Sequence, residues 1–100
     1  MSRLAERSLP IPDGVVEDDK VDNTELVRIW WQENGPRMII RPALREPRVV
    51  GAMLAELSYH FSRAFDERTD MSQPDAMEAI RKGWIEAHER ADAQSKEAGQ

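Results

Sequence analysis

The stretch ELVRIWWQENGPRMIIR, residues 25–41, decides the fold of this chain. Two apolar runs flank the pair Asn34-Gly35. Asn-Gly between such runs is a strong hairpin signal, because both central positions of a type I′ turn require a positive φ. The sequence therefore predicts a β-hairpin with a two-residue turn at Asn34-Gly35. A four-residue loop over residues 33–36 would give the same register.

This register sorts the hairpin side chains onto two faces, since side chains alternate along a strand. One face is predicted to be uncharged and to form the core face, with Val27, Ile29, Trp31, Met38 and Ile40. The other is predicted to hold Leu26, Arg28, Trp30, Ile39 and Arg41, with Arg37 near the turn. The same register places Arg28 directly opposite Arg41, and like charges in that position destabilise a sheet.

The residues before the hairpin predict a loose tail over residues 1–8 and then an extended strap. Pro10 and Pro12 favour extended backbone and exclude a regular helix. The apolar residues that could dock this strap along the domain are Leu9, Ile11, Val15 and Val16. The acidic run at residues 17–19 predicts a solvated loop.

Two amphipathic helices are predicted after the hairpin. Pro47 suits a first helical turn, and apolar residues recur at three- and four-residue steps as far as Phe65. Ser72 and Asp75 then resemble a capping box with Pro74 in the first turn. A second apolar stripe follows, formed by Met77, Ile80, Trp84, Ala87 and Ala91.

The fold class predicted from these elements is α+β. The predicted order is an N-terminal extended strap, a β-hairpin and two amphipathic α-helices packed on the hairpin (ββαα). We expect one domain over residues 9–92, with flexible tails at residues 1–8 and 93–100. An isolated two-stranded hairpin is marginal in water, so the helices are expected to cover its apolar face. Pairing hairpins across a two-fold axis would give a four-stranded sheet and cover an edge strand, which predicts a homodimer.

Composition bounds the classes of function. The net charge of −5 argues against a general nucleic-acid binder, because phosphate backbones favour basic surfaces. The chain has no cysteine, which excludes disulfides, thiolate metal sites and cysteine nucleophiles. No apolar run approaches the roughly 20 residues that cross a bilayer, and the first residues lack an apolar stretch of signal-peptide length. We therefore expect a cytoplasmic protein with no nucleic-acid or membrane partner.

Short matches along the chain suggest a family. In the first half they are Leu9-Pro10 with Pro12, residues 25–30 and Arg41-Pro42. In the helices they are Gly51, Leu54-Ala55, Leu57, His60, Ile80 and Gly83-Trp84. Over most of residues 9–90 the chain resembles an uncharacterised family of short bacterial proteins, one of the domain-of-unknown-function families. The resemblance implies a small α+β domain and no particular chemistry.

The candidate ligand- or partner-binding residues are Arg28, Trp30, Arg37 and Arg41. Three arginines beside a tryptophan call for a compensating anion, and guanidinium groups bind phosphates and carboxylates bidentately and stack on aromatic rings. An external ligand could supply that anion, and so could Glu25 or the acidic run at residues 17–19. Trp30 is expected to be exposed, to lie under the strap or to form part of an interface.

Metal and catalytic sites find little support in the sequence. Glu56 and His60 are spaced as a helix-surface pair, and the Glu-x-x-His pairs of di-iron proteins do not occur. The serines lack a glycine-flanked nucleophile elbow, and the glycines form no phosphate-binding loop. We therefore expect no cofactor, no metal and no catalytic residue.

Three functional hypotheses remain from the sequence. The first is a small protein–protein interaction module that is homodimeric and non-catalytic. The second is a small-molecule or anion-binding protein that uses the arginine- and tryptophan-bearing face of the hairpin. An enzyme is the third.

Overall fold

The computed structural model describes residues 3–15 and 23–97. The chain divides into two compact units, residues 1–45 and 46–100. The elements are a short helix α1 (Arg3–Glu6), strands β1 (Val27–Gln32) and β2 (Gly35–Ile40), and helices α2 (Pro47–Arg68) and α3 (Gln73–Glu97). The predicted α+β class, a hairpin followed by two helices, is confirmed.

The N-terminal segment contains one element that the sequence does not predict. The helical turn α1 lies within the predicted tail, and Ser8 Oγ closes it by donating to Leu4 O at 3.2 Å. Residues 7–15 follow as the strap. It ends in a turn where the Val15 N–H donates to Pro12 O at 3.3 Å, and Gly14 supplies the positive φ of 95°. Val16 and the acidic run at residues 17–19 lie outside the described residues.

The observed strand register differs from the predicted one, because each β1 residue pairs with a β2 residue two positions earlier in the sequence than predicted. Val27 pairs with Ile40, and Gln32 pairs with Gly35. Glu33 and Asn34 therefore form the turn, with Glu33 at φ 59°. Pro36 disfavours the predicted two-residue turn. A turn at Asn34-Gly35 would be closed by the N–H of residue 36, and proline has no N–H to donate.

The shift moves each pairing partner by two residues, so every side chain stays on its predicted face. The uncharged face still holds Val27, Ile29, Trp31, Met38 and Ile40. The hairpin unit does not bury the face predicted to be the core, because these side chains are between 37 and 71 % exposed. Two strands alone cannot enclose one of their own faces.

The helical unit is an antiparallel pair joined by a short connection at residues 69–72. Helix α2 runs three residues past its predicted end at Phe65. The carbonyl of Phe65 accepts hydrogen bonds from both the N–H of Thr69 at 2.9 Å and its Oγ1–H at 2.6 Å. Ser72 caps α3 as predicted, since its Oγ accepts the Asp75 N–H at 3.3 Å. Helix α3 continues to Glu97, so the described part of the predicted C-terminal tail is helical.

The two helices meet most closely near their connection. Ser62 of α2 and Ala76 of α3 are the only residues of the described chain that are fully buried. Ser62 Oγ donates to Tyr59 O at 2.7 Å and accepts Gln73 Nε2–H at 3.2 Å. This bond ties the first turn of α3 to the middle of α2. The larger apolar side chains on both helices stay half-buried or exposed.

Candidate interaction surface of the hairpin

The four predicted binding residues lie on one face of the hairpin. Trp30 pairs with Arg37, and Arg28 pairs with Ile39. Arg41 follows β2 on the same face, where its N–H donates to Leu26 O at 2.7 Å. We call this the arginine face, consisting of Arg28, Trp30, Arg37, Ile39 and Arg41. The structure thus brings the predicted residues together on one side of the sheet.

The predicted opposition of Arg28 and Arg41 is wrong. With Ile39 opposite Arg28, both Arg37 and Arg41 become its diagonal neighbours, at about 7–8 Å between Cα atoms. Arg28 Nη2 donates to both carboxylate oxygens of Glu25, at 3.0 and 3.1 Å. Glu25 therefore supplies the anion for Arg28 from within the chain, one of the three sources that the sequence left open.

Arg37 and Arg41 differ from Arg28 in their partners. Arg37 Nη1 donates to Pro36 O at 3.2 Å, a neutral acceptor. Within residues 3–15 and 23–97, neither Arg37 nor Arg41 has a carboxylate within ion-pair distance. The arginine face therefore offers two guanidinium groups whose charge no described acidic side chain balances.

The two adjacent tryptophans have different environments. Trp31, which the pattern placed in the core, is 71 % exposed, whereas Trp30 is half-buried. Trp30 lines a groove together with strap residues such as Leu9 and Ile11. Trp30 is therefore half-buried beside the strap.

This groove follows the outer edge of β1. It has a volume of about 700 Å³ and lies between the strap and residues 23–30. Four consecutive strand residues, Val27 to Trp30, line it. Consecutive residues point to opposite faces of a sheet, so only a groove along the strand edge can touch all four. We call it the edge groove.

The chain is similar to proteins of a known sequence family. The family model described as "Domain of unknown function (DUF5076)" matches residues 8–92. The chain belongs to this family. The DUF5076 match covers both the hairpin and the helical pair, and the resemblance seen in the sequence is confirmed as membership of a family of unknown function.

A solved structure shares the DUF5076 fold seen here. It is described as a putative pyruvate dehydrogenase from the photosynthetic bacterium Rhodopseudomonas palustrus CGA009. The two chains have a TM-score of 0.69 and 20 % sequence identity, and the match covers 81 % of each. At this identity the likeness shows the fold alone. No curated protein matches the chain.

The helical unit has a smaller groove of its own. Its volume is about 280 Å³, and Leu54 and Tyr59 of α2 and Ile80 and Trp84 of α3 are among the residues that line it. Trp84 also contacts His88, with ring centroids 4.7 Å apart. A Cβ built on Gly51 or Gly83 meets nothing within 4 Å, so neither helical glycine marks a close contact between elements.

Two features of the described residues concern other classes of function. No group of three or more His, Asp or Glu side chains there could hold a metal ion. Neither long helix has, within its described residues, an apolar stretch that could cross a bilayer.

Proposed function

We propose that this chain is a small, non-catalytic protein–protein interaction module that works as a homodimer. The observation that carries the proposal is the open apolar face of the hairpin. Its side chains are Val27, Ile29, Trp31, Met38 and Ile40, the least exposed of which is still 37 % exposed. The proposal keeps the cytoplasmic location expected from the sequence.

The size of this face supports a protein partner over a small ligand. Five large apolar side chains lie on one flat side of a two-stranded sheet, and burying each fully is worth roughly 1.5–3 kcal/mol. Contiguous exposed apolar patches on soluble proteins mark interaction sites. A second copy offers the same uncharged side chains, so two hairpins paired across a two-fold axis would place apolar residues beside apolar residues without opposing charges.

Light scattering on purified protein at micromolar concentration tests the proposal. We expect a mass of twice 11.5 kDa. Trp31→Ser should shift the mass toward the monomer, because it removes the largest side chain of the apolar face. Trp84→Ser is the matched control, since Trp84 is also exposed, at 54 %, but lies on α3. A mass near 11.5 kDa for the unaltered chain at all concentrations would overturn the proposal.

The arginine face supports a second candidate function, the binding of a small anion. Arg37 and Arg41 have no described carboxylate partner, and Trp30 beside Arg37 provides an aromatic surface and an optical probe. Titration with inorganic phosphate, followed by tryptophan fluorescence, tests this candidate. A saturable change that disappears in Arg37→Gln/Arg41→Gln and persists in Arg48→Gln on α2 would support it. No saturable change in the unaltered chain would remove it.

A further inference from the structure

The outer edges of the two strands differ in what they offer another strand. Hydrogen-bonded and non-hydrogen-bonded pairs alternate along an antiparallel ladder. The Arg41 N–H donates to Leu26 O, so the next pair, Val27 with Ile40, is not hydrogen-bonded within the hairpin. By this alternation the main-chain groups of three β1 residues point outward, away from β2: Val27, Ile29 and Trp31.

We call the outer edge of β1 complete, because each of its outward residues has both a main-chain N–H and a C=O. We call the outer edge of β2 interrupted, because one of its outward residues lacks the N–H. The β2 residues with outward main-chain groups are Pro36, Met38 and Ile40. Pro36 has no N–H, and proline in a sheet is confined to edges that need no donor at that position. Every outward residue of β1 can both donate and accept. Among the described residues, no main-chain hydrogen bond joins the strap to β1.

We propose that a second copy of this chain pairs its β1 with β1 in the edge groove, antiparallel and with the two-fold axis at Ile29. This inference rests on the proposed function and specifies the interface. The result is a four-stranded sheet in the order β2-β1-β1-β2, in which the complete edges meet and the interrupted edges face outward.

The position of the axis follows from the strand itself. An axis at Ile29 pairs Ile29 with its copy and Val27 with Trp31, so all three outward residues of β1 form ladder bonds. An axis at Trp30 would pair Val27 with Glu33 of the turn. An axis at Arg28 would place two arginines directly opposite each other, which is unfavourable.

The same axis at Ile29 also matches side chains on both faces. On the arginine face, Arg28 lies opposite Trp30 of the other copy, where a guanidinium can stack on the indole. On the apolar face, Ile29 lies beside Ile29 of the other copy and Val27 lies beside its Trp31, so the apolar side chains nearest the axis shield one another from water. The exposed strap residues Leu9 and Ile11, 92 and 71 % exposed, line the groove that the incoming strand enters.

Single cysteines test this geometry directly, because the chain has no cysteine of its own. A hydrogen-bonded antiparallel pair places its Cα atoms about 5.5 Å apart, which is within the range that a disulfide bridges. Ile29→Cys should therefore form a reducible covalent dimer under mild oxidation. Met38→Cys is the matched control: it lies opposite Ile29 on β2, so its two copies would be three strand spacings apart, about 14 Å, and should stay unlinked.

Proline substitution is a second, independent readout. Ile29→Pro removes an outward N–H of β1, whereas Met38→Pro removes the equivalent N–H of β2, and neither N–H serves the hairpin's own ladder. We expect Ile29→Pro to be monomeric and Met38→Pro to remain dimeric by light scattering. A dimeric unaltered chain in which Ile29→Cys does not cross-link, or cross-links no better than Met38→Cys, would overturn this interface and leave the proposed function standing. A monomeric unaltered chain would overturn both.

Discussion

Ser62 is the one polar residue that the helical pair buries completely. A buried hydroxyl is costly without a partner, and this one both donates to Tyr59 O and accepts from Gln73. From sequence alone, a serine in a helix is predicted to lie on the surface. Helical periodicity does not show which residue of another helix will pack against it. The small side chains of Ser62 and Ala76 are what allow α2 and α3 to come close.

A larger side chain at this contact should therefore separate the helices. We expect Ala76→Leu to lower the free energy of unfolding by about 1–3 kcal/mol, the cost of overpacking a filled contact. Ala79→Leu, three residues along the same helix and exposed, should change it little. Urea unfolding followed by circular dichroism measures both. Equal effects of the two changes would mean that Ala76 is not the closest point of the helix pair.

At the scale of elements, the hairpin turn is where the structure differs from the sequence-based prediction, since the turn forms at Glu33 and Asn34. The Asn34-Gly35 signal correctly predicted a hairpin and both of its faces, because the period of two survives a two-residue shift of the partner. Pro36 argues in sequence against a turn at Asn34-Gly35, because it has no N–H to close that turn, but it leaves the four-residue loop over residues 33–36 open. The half-burial of Trp30 could not be predicted, because the strap that flanks it is distant in sequence and its position depends on tertiary structure.

The turn that forms instead places a non-glycine residue in the left-handed region. Glu33 has φ 59°, and an L side chain there costs roughly 1–2 kcal/mol. Glu33→Gly should remove that strain and raise the free energy of unfolding by up to about 1 kcal/mol, after the greater freedom of glycine in the unfolded chain is subtracted. Gln32→Gly, in the adjacent strand, should instead destabilise. Thermal unfolding shows whether each variant is more or less stable than the parent chain. If Glu33→Gly lowers the stability, the backbone at Glu33 is not strained.

At the scale of the whole molecule, the helical elements were the most predictable part. Long amphipathic stripes, a Pro at the start of α2 and the Ser72 cap all lie where the sequence predicted them. The extent of exposure was not predictable, because periodicity identifies an apolar face without identifying what covers it. The members of the arginine face were predicted correctly, because side-chain alternation decides which residues share a face. Their cross-strand partners were predicted wrongly, because the position of the turn decides the pairing.

A homodimer makes stability depend on protein concentration, since association stabilises the folded state by mass action. We expect the urea midpoint of the unaltered chain to rise as its concentration increases from about 1 to 100 μM, a trend that Trp31→Ser should lose. Arg28→Gln/Arg41→Gln should unfold at nearly the same midpoint as the parent at low concentration. The Arg28–Glu25 pair is 54 and 62 % exposed, and such a pair contributes about 1 kcal/mol or less. A midpoint independent of concentration would count against self-association.

Pro36 has a further consequence for colloidal behaviour. Molecules that add strands at both edges of a sheet polymerise without limit, and fibrils grow because each terminal strand accepts the next chain. In this hairpin one edge can accept a strand, and the other lacks a donor at its first outward position. We therefore expect Pro36 to hinder the addition of further strands at the β2 edge, so that the residue that disfavours a turn at Asn34-Gly35 also limits aggregation.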